Sequence, residues 1–177
     1  GQFKVIFDRV LSAYPTLTIQ GGKGATLKLR SHRNYSYKLR GGYEVLELPF
    51  MDEIAPSYTV VLENITEPLK IENAGAVFTS QPVEYRGEFT CNDELLNRIW
   101  SVSRWTVQIN LQSHHLDSPN HQEPISDPGD YLIESMVNHY AFAQPWLTRQ
   151  DVRKFAWLLK NEKYHRRRII CLWIGLL

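Results

Sequence analysis

An acidic, histidine-rich segment with the sequence HHLDSPNHQEPISDPGDY occupies residues 114–131. It combines four carboxylates, three histidines and three prolines. Prolines restrict the backbone around them, so the side chains between them sample fewer positions. Carboxylates in such a segment suit acid–base chemistry, because one can stay protonated while its neighbours are ionised and hydrogen-bond a polar ligand. The segment therefore predicts a polar binding or catalytic site.

Part of this segment has an ordinary structural explanation. Asp127 precedes Pro128 at the expected start of a helix, where aspartate caps free N–H groups and proline fits the first turn. Asp130 falls in the same turn, where the helix dipole favours a negative charge. Neither reason applies to Asp117 or Glu123, which lie in the proline-bounded part away from a helix end. These two carboxylates are the main candidates for chemistry.

A metal site is the alternative interpretation of the same segment. His115, Asp117 and His121 offer nitrogen and oxygen ligands of the kinds that zinc binds. The segment has no cysteine and no His-x-x-x-His spacing on a helix, so metal binding is the weaker hypothesis. We expect no metal and no cofactor.

Length and composition limit the classes of function. The chain has 177 residues, of which 43% are hydrophobic, enough to bury a core in one domain or two small ones. Its formal net charge of +1 gives no basic field for nucleic acid, and the apolar stretch 169–177 is shorter than the ~20 residues of a membrane span. We expect neither partner. Because the chain opens with Gly1 and has no signal segment, we interpret it as part of a longer protein.

Two architectures follow one another along the chain. Eight of the ten glycines precede residue 90, whereas all five tryptophans follow it. The glycines in QGGKGAT predict a hairpin turn between two strands, since glycine admits positive φ. Alternating or β-branched runs predict strands at 3–7, 16–20, 26–30, 43–48 and 58–64.

Apolar periodicity predicts three helices after residue 90. The first follows a capping pair, Thr90 and Asp93, the second begins at Asp127 and Pro128, and the third follows a capping pair, Thr148 and Asp151. In the first helix, the residues that recur at helical spacing are Leu95, Ile99, Val102, Trp105 or Thr106, and Ile109. The residues expected to be buried in the other two are Ile133, Met136, Val137 and Tyr140, and then Val152, Phe155, Ala156 and Leu159.

The acidic segment resembles a family signature. Residues 117–130, DSPNHQEPISDPGD, are similar to the motif Asp-Cys-Pro-x-Arg-x-Glu-Arg-x-x-Trp-x-Gly-Asp of bacterial α-L-rhamnosidases, glycoside hydrolase family 78. The matching positions are Asp117, Pro119, Glu123, Gly129 and Asp130. Residues 7–30 are similar to the β domain that precedes the family's catalytic domain, and residues 77–119 are similar to the entry into that domain.

The resemblance implies a β-sandwich domain at 1–90 and the first helices of a truncated (α/α)6 barrel at 91–177. It implies hydrolysis of terminal α-L-rhamnosides from glycans or glycosides with inversion. Glu123 matches the general acid, and Asp117 and Asp130 match acidic residues that hold the rhamnose hydroxyls. The family's general base comes later in the catalytic domain, so none is assigned here. We therefore expect the 177-residue chain alone to be inactive.

The sequence departs from the signature at four positions. Ser118 replaces the cysteine, His121 and Pro124 replace the two arginines, and Asp127 replaces the tryptophan. We expect His121 and Asp127 to contact the substrate and the missing arginines to alter glycan specificity. These departures also favour a different class of function, a non-catalytic carbohydrate-binding or scaffold module. A glycosidase or lyase that acts on uronate-containing glycans is a third interpretation.

The resemblance also suggests partners and location. The expected ligand is a rhamnose-containing oligosaccharide or glycoside, and the expected location is periplasmic or extracellular. Helices that lack their barrel neighbours would expose apolar faces, which predicts association of the chain with itself.

Overall fold

The computed structural model describes residues 1–48, 52–54, 56–116 and 128–160. Within these ranges eight strands precede three helices. The chain divides into two compact units, Gly1–Thr79 and Ser80–Leu177. The predicted order, β structure followed by helices, is confirmed, whereas the assignment of two named domains with a boundary at residue 90 stays a prediction.

The strands of the first unit form two antiparallel sheets. They are β1 (Gln2–Ile6), β2 (Leu11–Gly21), β3 (Thr26–Arg30), β4 (Asn34–Lys38), β5 (Tyr43–Glu47), β6 (Asp52–Ile54), β7 (Ser57–Glu63) and β8 (Leu69–Phe78). One sheet has the order β1-β7-β3-β4. In the other, β2 pairs with β8 along one edge and with β5 and β6 along the opposite edge. All five predicted strands are present, and β4, β6 and β8 are additional.

The two sheets share one hydrophobic core. Side chains alternate between the two faces of a strand, so β2, β3 and β7 each bury every second residue. The buried residues include Leu17, Ile19, Leu27, Leu29, Val60 and Leu62. Because β2 belongs to one sheet and β3 and β7 to the other, these residues join the sheets as a sandwich.

Tyr58 links the two sheets through a buried hydroxyl. Its ring lies on β7, and its hydroxyl donates to the carbonyl oxygens of Gly75 at 2.8 Å and Thr16 at 3.2 Å, on the opposite sheet. The side chain is almost fully buried. Burial raises the pKa of the Tyr58 phenol to about 12, because the ionised form would lose its hydration.

The glycine turn does not close a hairpin, so that prediction was wrong. The strands β2 and β3, which it connects, lie in different sheets. Its glycines do have positive φ, with values of 83°, 67° and 82° at Gly21, Gly22 and Gly24. The N–H of Gly24 donates to the carbonyl of Leu39 at 2.9 Å. Glycines thus predicted the local backbone correctly, but they carry no information about which strands pair.

The helices are α1 (Glu94–Asn110), α2 (Pro128–Phe142) and α3 (Trp146–Lys160). Asp93 is the N-cap of α1, and its Oδ1 atom accepts from the N–H groups of Leu95 and Leu96. Thr90 is therefore not the cap. The capping pair predicted for α3 is also wrong, because the helix begins at Trp146, before Thr148. Within the described ranges no helix is both long enough and apolar enough to cross a membrane.

The predicted buried faces of α2 and α3 are largely wrong. The exposed members of those faces are Ile133, Met136, Tyr140, Val152 and Ala156. Val137 and Phe155 are half-buried, and the side chain of Leu159 lies outside the described part of the chain. The buried residues of α2 are instead Tyr131, Ser135, Asn138, Ala141 and Phe142. Apolar periodicity failed here because α2 has apolar residues on more than one side.

Candidate functional site

Most of the predicted site residues lie outside the described part of the chain. These are Asp117, His121, Glu123 and Asp127. Asp130 is described, and it is exposed in the first turn of α2, as the helix dipole favours. The sugar-binding and catalytic roles of all five residues stay predictions.

The start of the acidic segment lies in a tight reversal, residues 111–116. Leu111 is the C-cap of α1 and pairs with His115 in an isolated antiparallel bridge. The N–H of Leu116 donates to the carbonyl of Asn110 at 3.0 Å. These bonds fold the chain back onto the end of α1, so the backbone just before Asp117 is held to a helix.

His115 lies at the centre of a buried polar cluster, which we define as His115, Asn138 and Asp151. Nδ1 of His115 is 2.6 Å from Oδ2 of Asp151 on α3. Its Nε2 makes a longer contact of 3.4 Å with Nδ2 of Asn138 on α2. All three side chains are buried. One histidine therefore joins the reversal to two helices.

The partners of His115 indicate the hydrogen-bonding role of each ring nitrogen. A carboxylate accepts hydrogen bonds and cannot donate them, so Nδ1 of His115 donates to Asp151. Nε2 faces the amide nitrogen of Asn138 and acts as the acceptor. Both ring nitrogens of His115 thus face polar partners, and the buried carboxylate of Asp151 sets the orientation of the ring.

Two oxygens of the polar cluster retain capacity for further hydrogen bonds. Oδ1 of Asn138 and Oδ1 of Asp151 are buried and have no hydrogen-bond partner among the described residues. The Nζ atom of Lys154 lies 4.0 Å from the latter oxygen, close enough for an ion pair. Buried polar atoms nearly always form hydrogen bonds. These two oxygens can therefore accept hydrogen bonds from water or from other parts of the chain.

Tyr131 packs the start of α2 against the reversal. Its ring centre lies 5.8 Å from that of His115, 6.1 Å from that of His114 and 6.2 Å from that of Phe155. The side chain is buried. Since Tyr131 directly follows Asp130, both ends of the acidic segment meet at one packed cluster of rings.

The reversal has a further contact with α3. The side-chain amide of Gln150 donates to the carbonyl oxygen of Ser113. Gln150 immediately precedes Asp151, so two consecutive residues of α3 bind the reversal. No local pattern in the sequence indicates these contacts, because the partners are more than 30 positions apart.

The polar cluster is not a metal site in the described part of the chain, where no group of three His, Cys, Asp or Glu residues could hold an ion. Two of the three ligands of the metal alternative, Asp117 and His121, lie outside the described ranges. With its ring fully buried, His115 has no surface for a sugar. The arrangement holds the described reversal, residues 111–116, against α2 and α3.

The helical unit matches a known family. Residues 84–156 match the model of the bacterial α-L-rhamnosidase 6 hairpin glycosidase domain. The matched region begins before α1, includes the acidic segment and ends within α3. A search of curated proteins gave no match.

Two solved structures are similar in fold. The GH78 family rhamnosidase of Bacillus sp. GL1 has a TM-score of 0.79 and 18% identity, over 86% of this chain and 17% of that chain. The rhamnosidase from Klebsiella oxytoca with rhamnose bound has a TM-score of 0.75 and 17% identity, over 85% of this chain and 35% of that chain. This chain thus spans well under half of either protein. These findings confirm the resemblance to bacterial α-L-rhamnosidases that the sequence predicted.

Proposed function

We propose that the protein containing this chain is a glycoside hydrolase that removes terminal α-L-rhamnose from glycans or glycosides. The observation that carries the proposal is the family match over residues 84–156, which includes the acidic segment. The relative with rhamnose bound supports a rhamnose-containing ligand. In domain terms, residues 1–90 are the proposed β-sandwich domain and residues 91–177 the proposed start of the barrel.

The proposed mechanism assigns separate roles to the carboxylates. Glu123 protonates the leaving glycosidic oxygen as the general acid. Asp117 and Asp130 accept hydrogen bonds from the rhamnose hydroxyls, and His121 and Asp127 contact the substrate beside them. In an inverting enzyme a second carboxylate, ~6.5–9.5 Å from the acid, activates water on the opposite face of the sugar. We assign no residue of this chain to that base.

The described contacts support the proposal at the two ends of the acidic segment. Its two ends are adjacent in space, because the rings of His115 and Tyr131 are 5.8 Å apart. Both rings are buried, and the reversal at the start of the segment is hydrogen-bonded to α1 and α3. Holding both ends of a loop reduces the conformational entropy that its side chains lose when they bind substrate.

The experiment for this proposal uses the full-length protein and an aryl α-L-rhamnoside. We expect release of the aryl group, and we expect proton NMR to detect the β-anomer of rhamnose before mutarotation mixes the anomers. Absence of rhamnose release would refute the activity. Release of the α-anomer first would refute inversion.

A non-catalytic carbohydrate-binding module is the second candidate. It is favoured by His121 and Pro124, which stand where the family motif has arginines. Such a module would bind rhamnosides, measured by calorimetry, and would leave them intact through long incubation. For the location we propose the periplasm or the extracellular space, which fractionation of the source cells would test.

A further inference from the structure

We propose that His115 is a positioning residue for the proposed sugar site, because it anchors residues 111–116, from which the chain continues to Asp117. The inference rests on the proposed function, because it assigns a role within that site. His115 cannot be a catalytic residue, since its side chain is completely buried and no substrate atom can reach it.

The first argument is the number of elements that His115 brings together. Its backbone pairs with Leu111 at the end of α1, its Nε2 faces Asn138 of α2, and its Nδ1 binds Asp151 of α3. All three helices that the structure describes therefore contribute to the location of one residue.

The second argument is covalent distance. Asp117 is two residues beyond His115, and consecutive Cα atoms are ~3.8 Å apart. The N–H of Leu116, between them, is also bonded to Asn110. A displacement of His115 must therefore move the backbone from which Asp117 starts. An error of about 1 Å in a substrate-positioning group can reduce turnover about 100-fold.

The third argument is the cost of removing the imidazole. Without its Nδ1 donor, the buried carboxylate of Asp151 retains only Lys154, at 4.0 Å, among the described charged groups near it. A buried acceptor without its donor is unfavourable, so the helices and the reversal must rearrange to pair or hydrate it. The rearrangement affects residues 111–116, which directly precede Asp117 in the sequence.

The test compares three substitutions of His115 in the full-length protein. His115→Leu removes both ring nitrogens. His115→Asn retains a donor close to the position of Nδ1, whereas His115→Gln carries its amide towards the position of Nε2. Asn97→Ala is the matched control, because Asn97 makes two hydrogen bonds to the backbone of Cys91 at the opposite end of α1.

The readouts are kcat and KM for an aryl α-L-rhamnoside and the inhibition constant of L-rhamnose, all measured below the Tm of each variant. His115→Leu should lower kcat/KM by about 10- to 100-fold and weaken inhibition by rhamnose. His115→Asn should recover most of the lost kcat/KM. Asn97→Ala should keep a kcat/KM within about twofold of the wild type even where its Tm falls as much as that of His115→Leu.

Three outcomes would overturn the assignment. The first is a kcat/KM of His115→Leu within about twofold of the wild type, and the second is an equal loss of kcat/KM in Asn97→Ala. The third applies where His115→Leu does not fold, and it is equal kcat/KM values for His115→Asn and His115→Gln. A wild-type protein that releases no rhamnose would overturn the proposed function itself. An active wild type with an unaffected His115→Leu variant would overturn only the positioning role.

Discussion

Nδ1 of His115 lies 2.6 Å from Oδ2 of Asp151, and both side chains are buried although 36 positions separate them in the sequence. The contact connects the residue two positions before Asp117 to α3. It anchors the start of the acidic segment through a fully buried imidazole. Its energetic and functional consequences can be measured separately.

Substitution of either partner should destabilise the helical unit. We expect His115→Leu and Asp151→Leu each to lower its free energy of unfolding by about 1–3 kcal/mol, because the remaining buried polar group loses its partner. The double variant should lose less than the sum of the two, since both groups are then apolar. Denaturant unfolding followed by circular dichroism measures the three values. Strict additivity would show that the two side chains do not interact.

Gly87 should tolerate no side chain. A Cβ atom there would overlap the carbonyl oxygen of Tyr140, while the N–H groups of Arg86 and Gly87 both donate to the carbonyl of Ala141. We expect Gly87→Ala to destabilise the helical unit by about 2 kcal/mol or more, because backbone must move to relieve the overlap. Gly75→Ala is the control, since its Cβ would meet only the Thr16 hydroxyl at an ordinary 3.9 Å. Equal Tm values for the two variants would contradict this account.

Tyr58 should make the stability of the β unit depend on alkaline pH. Its folded-state pKa, about 12, exceeds the ordinary phenol pKa of 10.0 because the side chain is buried. The neutral phenol's contribution is therefore fully present below pH 10 and is lost as pH rises towards 12. We expect the wild type to lose more stability than Tyr58→Phe between pH 9.5 and 11.5, in parallel thermal melts. Parallel decreases in the two proteins would refute this assignment.

The same substitution should be destabilising at neutral pH. Tyr58→Phe removes the donor to the carbonyl oxygens of Gly75 and Thr16, and we expect a loss of about 1–2 kcal/mol. Thermal unfolding at pH 7 measures the difference. An unchanged Tm would show that the hydroxyl does not join the sheets energetically.

The outer face of α1 should promote association of the 177-residue chain. Leu95, Ile99 and Val102 recur at helical spacing, and each is more than half exposed. Contiguous apolar surface of this kind favours self-association. Sedimentation velocity should detect oligomers that increase with concentration, and Ile99→Glu with Val102→Lys should reduce them. Arg98→Glu, on an exposed residue of the same helix, is the control. A concentration-independent monomer would contradict the prediction.

The sequence predicted the order of the strands and helices better than it predicted which strands pair and which helices are in contact. Alternating residues indicated five strands, and Asp127-Pro128 indicated the beginning of α2 at Pro128. The strand β8 was missed, because LKIENAGAVF contains polar residues and a glycine that weaken the alternation. Which sheet receives each strand depends on contacts far apart in sequence, so the turn after β2 was misinterpreted as a hairpin.

The polar cluster could not be predicted from local patterns. Asp151 looks like a helix cap because it follows Thr148 by three residues, yet its side chain binds His115. Asn138 occupies a buried position that a hydrophobic pattern assigns to an apolar residue. Pairing between a reversal and the third helix leaves no periodic signal. The motif from Asp117 to Asp130 was found only because its residue types and spacing resemble a family signature.

Glu123 is the proposed general acid, and its role is tested most directly by the dependence on the leaving group. In the full-length protein, Glu123→Gln should lower kcat/KM for an alkyl α-L-rhamnoside, which needs protonation of its leaving oxygen, by about 10²- to 10⁴-fold. For a dinitrophenyl α-L-rhamnoside, whose leaving group departs as an anion, the loss should be much smaller. Wild-type turnover of both substrates, or an equal loss on both, would contradict the assignment of Glu123 as the acid.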